Sequence, residues 1–411
     1  IQYEVRIESA ITQLDIELRQ AETSTQEVQV VGSAFQKTPA NIVSVKRVGA
    51  EFIRSNPGGN LDISRVLQSL PGVSGVSGGG GPRNDIIVRG GAPSENVYYL
   101  DGIEVPNINH FSTQGSGGGP VGIINALFIR NLNFQASNFG AQYDNALSAV
   151  LDFELVAGNR DRLQTTLLVS GTEAGVTFDT PLGKNVTALV SVRRSYLQIL
   201  FGALGLSFLP SYWDGLVKVQ AQLSPKATLT FISLTALNDL RPNVPDRIET
   251  PEDLEAADQA DGVPFVIQNT FNNGLSLRKL TERGYFTLAL SRNDLENNFW
   301  NLDRPTRTER VTDYTSADRE TKLRFNHVST AGPWQLTYGA TLIYVDFSVA
   351  GFEARRAGQL TRFQGGVRFG RYGAHVAASR TFFNERLLLS MGARTDMNSF
   401  TRTGDDPLRT L

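Results

Sequence analysis

Three histidines, His110, His327 and His375, are the only imidazoles available to a metal or proton-transfer site, and there is no cysteine. The histidines lie far apart, without HxH, HxxxH or HExxH spacing, so no dedicated metal site is expected. The lack of thiols removes disulfide scaffolds, cysteine nucleophiles, thiolate zinc and iron–sulfur ligation together. No Ser-His-Asp or paired-carboxylate constellation can be argued from spacing. Two glycine-rich stretches mimic nucleotide sites. Gly75–Gly81 (GVSGGGG) lacks the Lys-Ser/Thr of a P-loop, and Gly117-x-Gly119-x-x-Gly122 contains Pro120 and follows no strand of a βαβ unit. The reading is therefore against an enzyme, and no cofactor is expected. Lys and Arg number 39 against 41 Asp and Glu, so the net charge of −2 offers nucleic acid no bulk attraction.

The 411 residues are enough for two to three domains, and 40% hydrophobic content is too high for wholesale disorder. The longest apolar run, Ile199–Pro210 (ILFGALGLSFLP), falls short of the ~20 residues a membrane-crossing helix needs. Strands of a membrane barrel need only ~9–11 residues and alternate apolar with polar. Ile1 and the closing GDDPLRTL both read as interior sequence, so a fragment of a longer protein is expected and compartment cannot be read from a leader.

Three textures follow one another. Residues 1–28 read as a remnant: Leu14–Leu18 (LDIEL) alternates like a strand, Arg19–Gln26 is a polar linker, and Glu27–Gly32 (EVQVVG) is extended. Residues 33–157 are glycine-rich. Phe52–Leu70 predicts a short helical piece, capped by Asn60 or Asp62 and stopped by Pro71-Gly72. Asp85–Val88 reads as a strand. Asn96–Leu100 and Ile103–Val105 predict a hairpin through Asp101-Gly102, and Ala149–Val156 a further strand. Residues 163–411 carry long alternating segments such as Leu216–Leu223 (LVKVQAQL), with Val217, Val219, Ala221 and Leu223 on one face and Lys218, Gln220 and Gln222 on the other.

The connections in this third region sort into two sets. Leu182–Asn185, Ser224–Lys226, Thr281–Gly284, Ala331–Pro333 and Phe383–Arg386 are short. The alternate ones, Leu197–Tyr212, Asn238–Val263, Asn301–Arg319 and Ser348–Thr361, are long, with only Ser170–Glu173 tight. Short turns at one end and long loops at the other is the asymmetry of an outer-membrane barrel. About eleven strands are expected, an odd number where such barrels take an even one. A half-barrel would leave unpaired edges at lipid depth, so a missing remainder is implied.

Several motifs in order carry a family resemblance. Asp62–Val73 (DISRVLQSLPGV), Ile86–Gly90 (IIVRG), Leu100–Gly102 (LDG), Ile129–Tyr143 and Ala146–Val150 (ALSAV) together resemble the plug of a TonB-dependent outer-membrane transporter. Asp144 replaces the usual Gly after Tyr143, and Ala136 stands where Gly is common. The resemblance implies a mainly β fold: a transmembrane antiparallel β-barrel of 22 strands, about half of them in this chain, with an N-terminal α+β plug domain in its lumen. LDIEL followed by EVQVVG resembles the end of a carboxypeptidase-regulatory-like domain, as in Bacteroidota-type transporters. Expected domains are the remnant and linker at 1–28, with the TonB-box-like segment following, a plug at 29–157 and the N-terminal barrel half at 158–411. The extra aspartate-lysine-rich plug motif of the glycan-importing branch is not seen.

The same resemblance implies active import of a scarce nutrient: a siderophore, cobalamin, a peptide or an oligosaccharide. Glu27, Val28, Gln29, Val30, Val31 and Gly32 would pair as an added strand with TonB, working with ExbB and ExbD, or would be an ordinary linker strand. Arg89, Pro93, Ser94, Glu95, Asn107, His110, Phe111 and Gln114 fall where the plug apex would meet a ligand; Arg89 could instead tie plug to barrel, and His110 could satisfy a loop carbonyl. Arg193, Arg194, Lys218, Arg278 and Arg324, within strands, would cost ~2–4 kcal/mol each at the lipid midplane, so they are expected to face the lumen and meet plug acids such as Asp152 and Glu154. The acidic Asp246–Asp261 reads as a solvated extracellular loop. Partners implied are TonB, outer-membrane lipid and, among others, a surface lipoprotein, but no nucleic acid. The rival reading is a plug–barrel subunit of an outer-membrane assembly or secretion complex.

Overall fold

A computed structural model describes residues 45–400 apart from 57–58, 60–61, 76–83, 113–117, 137–138, 246, 248, 304–307, 355–359 and 384–385. The TonB-box-like segment, the N-terminal remnant and Gln114 lie outside the described residues.

The glycine-rich region builds strands β1 (Val45–Gly49), β2 (Val73–Ser74), β3 (Ile87–Val88), β4 (Asn96–Leu100), β5 (Ile103–Val105), β6 (Asn109–His110), β7 (Val121–Gly122), β8 (Ile129–Ala136) and β9 (Ala149–Leu155), with helices α1 (Ala50–Ser55) and α2 (Ile63–Gln68). Five strands form one sheet in the order β1-β8-β9-β4-β5, in which β4 and β9 run parallel. The predicted single helical piece is thus two short helices. Asp62 caps the second by accepting from the Ser64 amide, and the chain turns away at Gly72, whose φ of 79° suits glycine. Asp101 and Gly102 both have positive φ, 47° and 84°, the requirement of the tight hairpin turn between β4 and β5.

The third region is a continuous antiparallel meander of eleven strands. They are β10 (Gln164–Val169), β11 (Glu173–Gly183), β12 (Val186–Ser195), β13 (Phe208–Ser224), β14 (Ala227–Pro242), β15 (Phe265–Thr281), β16 (Gly284–Leu302), β17 (Arg310–Ala331), β18 (Trp334–Ala354), β19 (Leu360–Phe382) and β20 (Leu387–Asn398). Four of the five short turns fall where the sequence places them, and the fifth, Phe383–Arg386, lies partly outside the described residues. The opposite ends carry α3 (Leu197–Ala203) and α4 (Pro251–Asp261) in the longer connections. The segment read as an acidic loop is therefore partly helical. A capping box explains it: Thr250 accepts from the Asp253 amide while the Asp253 carboxylate accepts from that of Thr250.

Alternation assigns the two faces of this wall. On β18, Trp334, Tyr338, Leu342 and Tyr344 are exposed on the outer face, while Thr337, Thr341, Ile343 and Val345 are buried on the inner one. The inner face packs on the glycine-rich domain. Leu189, Leu216, Ile232, Leu234 and Ala236 of the wall belong to the same core as Ile63, Leu100, Ile103, Ile108 and Phe153. At Gly274 the fit is close: a Cβ there would lie 2.7 Å from the Cδ1 of Ile103, so only glycine lets β5 approach β15.

The strands run further than expected at the long-loop end. Residues read as loop, such as Arg310–Arg319 and Ser348–Ala354, continue the ladder. The reason is a reversal of sidedness. Outer positions Asp294, Arg319, Asp346 and Arg368 stand directly opposite one another on β16 to β19, alternating in charge. The Arg319 guanidinium lies 3.6 Å from Asp294 and 2.7 Å from Glu296, and Arg368 lies 3.0 Å from Asp346. Below this row the outer face is largely apolar, with Arg292 and Thr321 next beneath it; above it polar groups such as Glu296, Asn298, Asp313 and Ser348 share the face with Trp300 and Phe352. The row marks where the wall leaves hydrocarbon for water.

Leu342→Arg, in the exposed apolar band, should destabilise the membrane-inserted protein by ~2–4 kcal/mol, whereas Ser348→Arg, above the charged row, should cost little. Equilibrium unfolding from phospholipid vesicles measures both.

Candidate functional site

Charged residues of the wall's inner face reach inward and find partners on the domain they enclose. Lys322, fully buried, donates to the Glu104 carboxylate at 2.7 Å and lies 2.5 Å from Glu320 on its own strand. Arg324 pairs with the second Glu104 oxygen and, at 2.7 Å, with Asp144. Arg394 adds a longer contact to Asp144 at 3.8 Å. Lys218 pairs with Asp101 at 2.7 Å and donates to the carbonyls of Leu155 and Val156. Burial alone would raise the Glu104 carboxyl, but the Arg324 and Lys322 cations override it and hold it down at about 2.

A second cluster sits higher, toward the long loops. The His110 ring is fully buried and stacks on Tyr212 with centroids 3.9 Å apart. Its Nδ1 lies 2.6 Å from Asn238 Oδ1 and its Nε2 3.1 Å from Asp214 Oδ2. Arg193 donates to Asp214 at 2.8 Å, to Glu173 at 3.2 Å, and to the carbonyls of Gly122 and Ile123. The Gln268 amide donates to the Ser112 carbonyl at 2.7 Å. These bonds fasten the Asn107–Ser112 segment to β13, β14 and β15, and the backbone of Gly122 and Ile123 to β12.

The sequence-derived apex residues divide accordingly. Asn107 is buried, donating to Ser112 Oγ and accepting from the Asn109 amide. His110 is held as described. Glu95 accepts from Ser148 across the upper ends of β4 and β9. Arg89 and Ser94 are exposed, while Pro93 and Phe111 are half-buried. Arg89 and Phe111 occupy the left-handed region, at φ 50° and 52°, which non-glycine residues seldom visit.

Expectations for the strand charges need correction in two respects. Arg193, Lys218, Arg278 and Arg324 face inward, but Arg194 lies on the outer face, its guanidinium 5.2 Å from the Trp213 ring centroid. The acids paired with Lys218 and Arg324 are Asp101, Glu104 and Asp144 rather than Glu154. Glu154 instead binds Arg47 and Asn131 within the domain. Asp152 is pushed up to about 7 by burial, with the Asp101 and Glu154 carboxylates adding to the effect. Glu104 was missed because its partners lie 218 and 220 residues away in sequence. A lone Glu in an otherwise apolar β5 (Ile103–Val105) was the available signal.

Glu104→Gln should leave two buried cations short of a counter-charge and destabilise the protein by ~3–5 kcal/mol near neutral pH. Because the folded carboxyl is depressed below the unfolded value of ~4.3, the ionic contribution is complete above that pH. It disappears as pH falls toward about 2. Denaturant unfolding of both proteins across this range should show the gap closing in acid.

Comparison with known proteins fits this geometry. Residues 35–150 match the TonB-dependent Receptor Plug Domain family. No curated protein matches the chain in sequence. Among solved structures, the copper transporter OprC is 15% identical with a TM-score of 0.61, over 86% of this chain and 55% of that one. The ferric enterobactin receptor PfeA of Pseudomonas aeruginosa is 14% identical with a TM-score of 0.61, over 87% and 57%. The outer membrane transporter YddB of Escherichia coli is 14% identical with a TM-score of 0.60, over 87% and 56%. The chain therefore spans a little over half the length of these structures, and at such identities the likeness is one of fold. Residues 35–150 thus form a domain of the TonB-dependent receptor plug type, fastened to the inner face of an antiparallel meander that shares the fold of these outer-membrane transporters.

Proposed function

We propose that the protein imports a scarce nutrient across the outer membrane, driven by TonB. The ligand binds the plug apex and the surrounding long loops. TonB, energised with ExbB and ExbD by the inner-membrane proton-motive force, then adds a strand to residues 27–32 and pulls. The plug shifts and the ligand passes. In this reading residues 29–157 are the plug, 158–411 the first half of the barrel, and 1–28 the end of a preceding regulatory-like domain.

The observation that carries the reading is the plug fastened inside the wall at two heights, by buried ion pairs at the lower and by buried hydrogen bonds at the upper. A plug so held blocks the lumen, and only an external input would move it. At the apex, Arg89, Pro93, Ser94, Glu95 and Phe111 form the ligand-facing layer, and Asn107 and His110 hold it from behind. Siderophore, copper and related receptors among the structural neighbours support transport as the general class.

Val30→Pro removes a main-chain donor and fixes φ where strand addition needs an extended, bonding backbone. It should abolish TonB-dependent uptake while leaving outer-membrane insertion and ligand binding intact. Uptake by cells expressing each form, with surface labelling for insertion, measures this. Unchanged uptake would refute the mechanism.

A further inference from the structure

The reversal of sidedness on β16 to β19 has an inner counterpart. Above the level of Glu320 the face that looks into the lumen, on the same side as Lys322 and Arg324, turns apolar. Phe299, Tyr314, Gly351 and Phe363 stand directly opposite one another across the four strands. Their rings form a continuous group: Phe299 to Tyr314 is 5.7 Å and Tyr314 to Phe363 is 5.2 Å between centroids. Gly351 permits this, since a Cβ there would lie 2.9 Å from the tip of the Phe363 ring. Phe347, Val349 and Val367 extend the patch toward the plug, and all six side chains are half-buried.

The charges are sorted with equal consistency. Among the described residues, Arg292, Arg319 and Arg368 of these strands all point outward, into ion pairs with Asp294, Glu296 and Asp346. Among the described residues of β16 to β19, the charged groups on the inner face above Glu320 are two carboxylates, Asp318, opposite Phe347, and Glu353. Arg371 and Arg324 do face inward, but below this level, where Glu320, Glu104 and Asp144 answer them; above it, a face that turns its described arginines away and keeps acids beside aromatic rings disfavours a polyanionic ligand. It suits one that buries apolar area and brings a positive group to Asp318 or the ring faces.

We propose that this face is the ligand-contacting wall of the vestibule and that it takes an aromatic or apolar ligand of neutral or positive charge. This rests on the import reading and names its substrate class.

The test uses the full chain in phosphatidylcholine nanodiscs, with three dye-labelled peptides of equal length, each carrying two phenylalanines and a net charge of +2, 0 or −2. Anisotropy should show the +2 peptide binding at least tenfold more tightly than the −2 peptide. Tyr314→Ala with Phe363→Ala should weaken +2 binding at least tenfold. Phe363→Leu, which keeps a β-compatible apolar residue, should weaken it less and guards against loss of folding. Asp318→Asn should remove the preference of +2 over 0 and leave the neutral peptide unaffected. Equal binding of the −2 and +2 peptides, or binding indifferent to the aromatic double variant, overturns the proposal. The two readings fail separately. Peptides that bind this face but are not taken up through TonB sink the import mechanism alone. TonB-dependent uptake of a polyanionic chelate at normal rate in the aromatic double variant sinks only the substrate class.

Discussion

A wall standing in hydrocarbon has no water to satisfy its backbone, so each N–H and C=O must be met by the next strand. That constraint produces the long uninterrupted ladder of β10 to β20 and its minimal turns at one end. It also decides where charge can go. A Lys or Arg within such a strand must face the lumen, and if the lumen is filled it must be neutralised there. Lys322 and Arg324 are buried cations of this kind, and Glu104 is their answer from the enclosed domain. The plug is thus an electrostatic component of the wall as well as an obstruction within it.

The two fastenings differ in character. The lower one concentrates formal charge: Glu104 and Asp144 against Lys322, Arg324 and Arg394. The upper one spreads its bonds over an imidazole, two amides, carbonyls and one buried Arg-carboxylate group. Breaking the lower set strands formal charges between plug and wall, whereas the bonds that join plug to wall in the upper set run mostly through an imidazole, amides and carbonyls. Moving the plug at the upper level therefore costs hydrogen bonds more than counter-charges.

Much of this was legible in the sequence wherever local rules govern. The asymmetry of turns and loops, the Asp101-Gly102 hairpin and the Asp62 cap each follow from a few adjacent residues. The Thr250-Asp253 capping box is equally local, but it sits in a segment whose acidity by itself reads as a solvated loop. What spacing could not supply was partnership across the lumen. Nothing near Glu104 announces Lys322, since the register of seven intervening wall strands decides that meeting. Arg194 was misplaced for a related reason. It lies next to the inward Arg193, so period two sends it outward, and the Trp213 ring on the neighbouring strand is what makes that position tolerable. Strand length was underestimated because alternation was sought with one polarity, and above the charged row the polarity inverts.

The charged row on β16 to β19 gives the protein a waterline. On β18 the apolar outer positions run from Trp334 to Tyr344, and Asp346 follows at once. At ~3.3 Å per residue, with strands tilted by ~40°, that stretch is roughly 25 Å tall. A bilayer noticeably thicker than this would submerge Asp346 and Arg368, and a thinner one would leave Tyr344 and Leu342 dry of lipid. The molecule therefore has little vertical freedom, and pulling on its plug would load the contents of the lumen while the wall stayed at its depth.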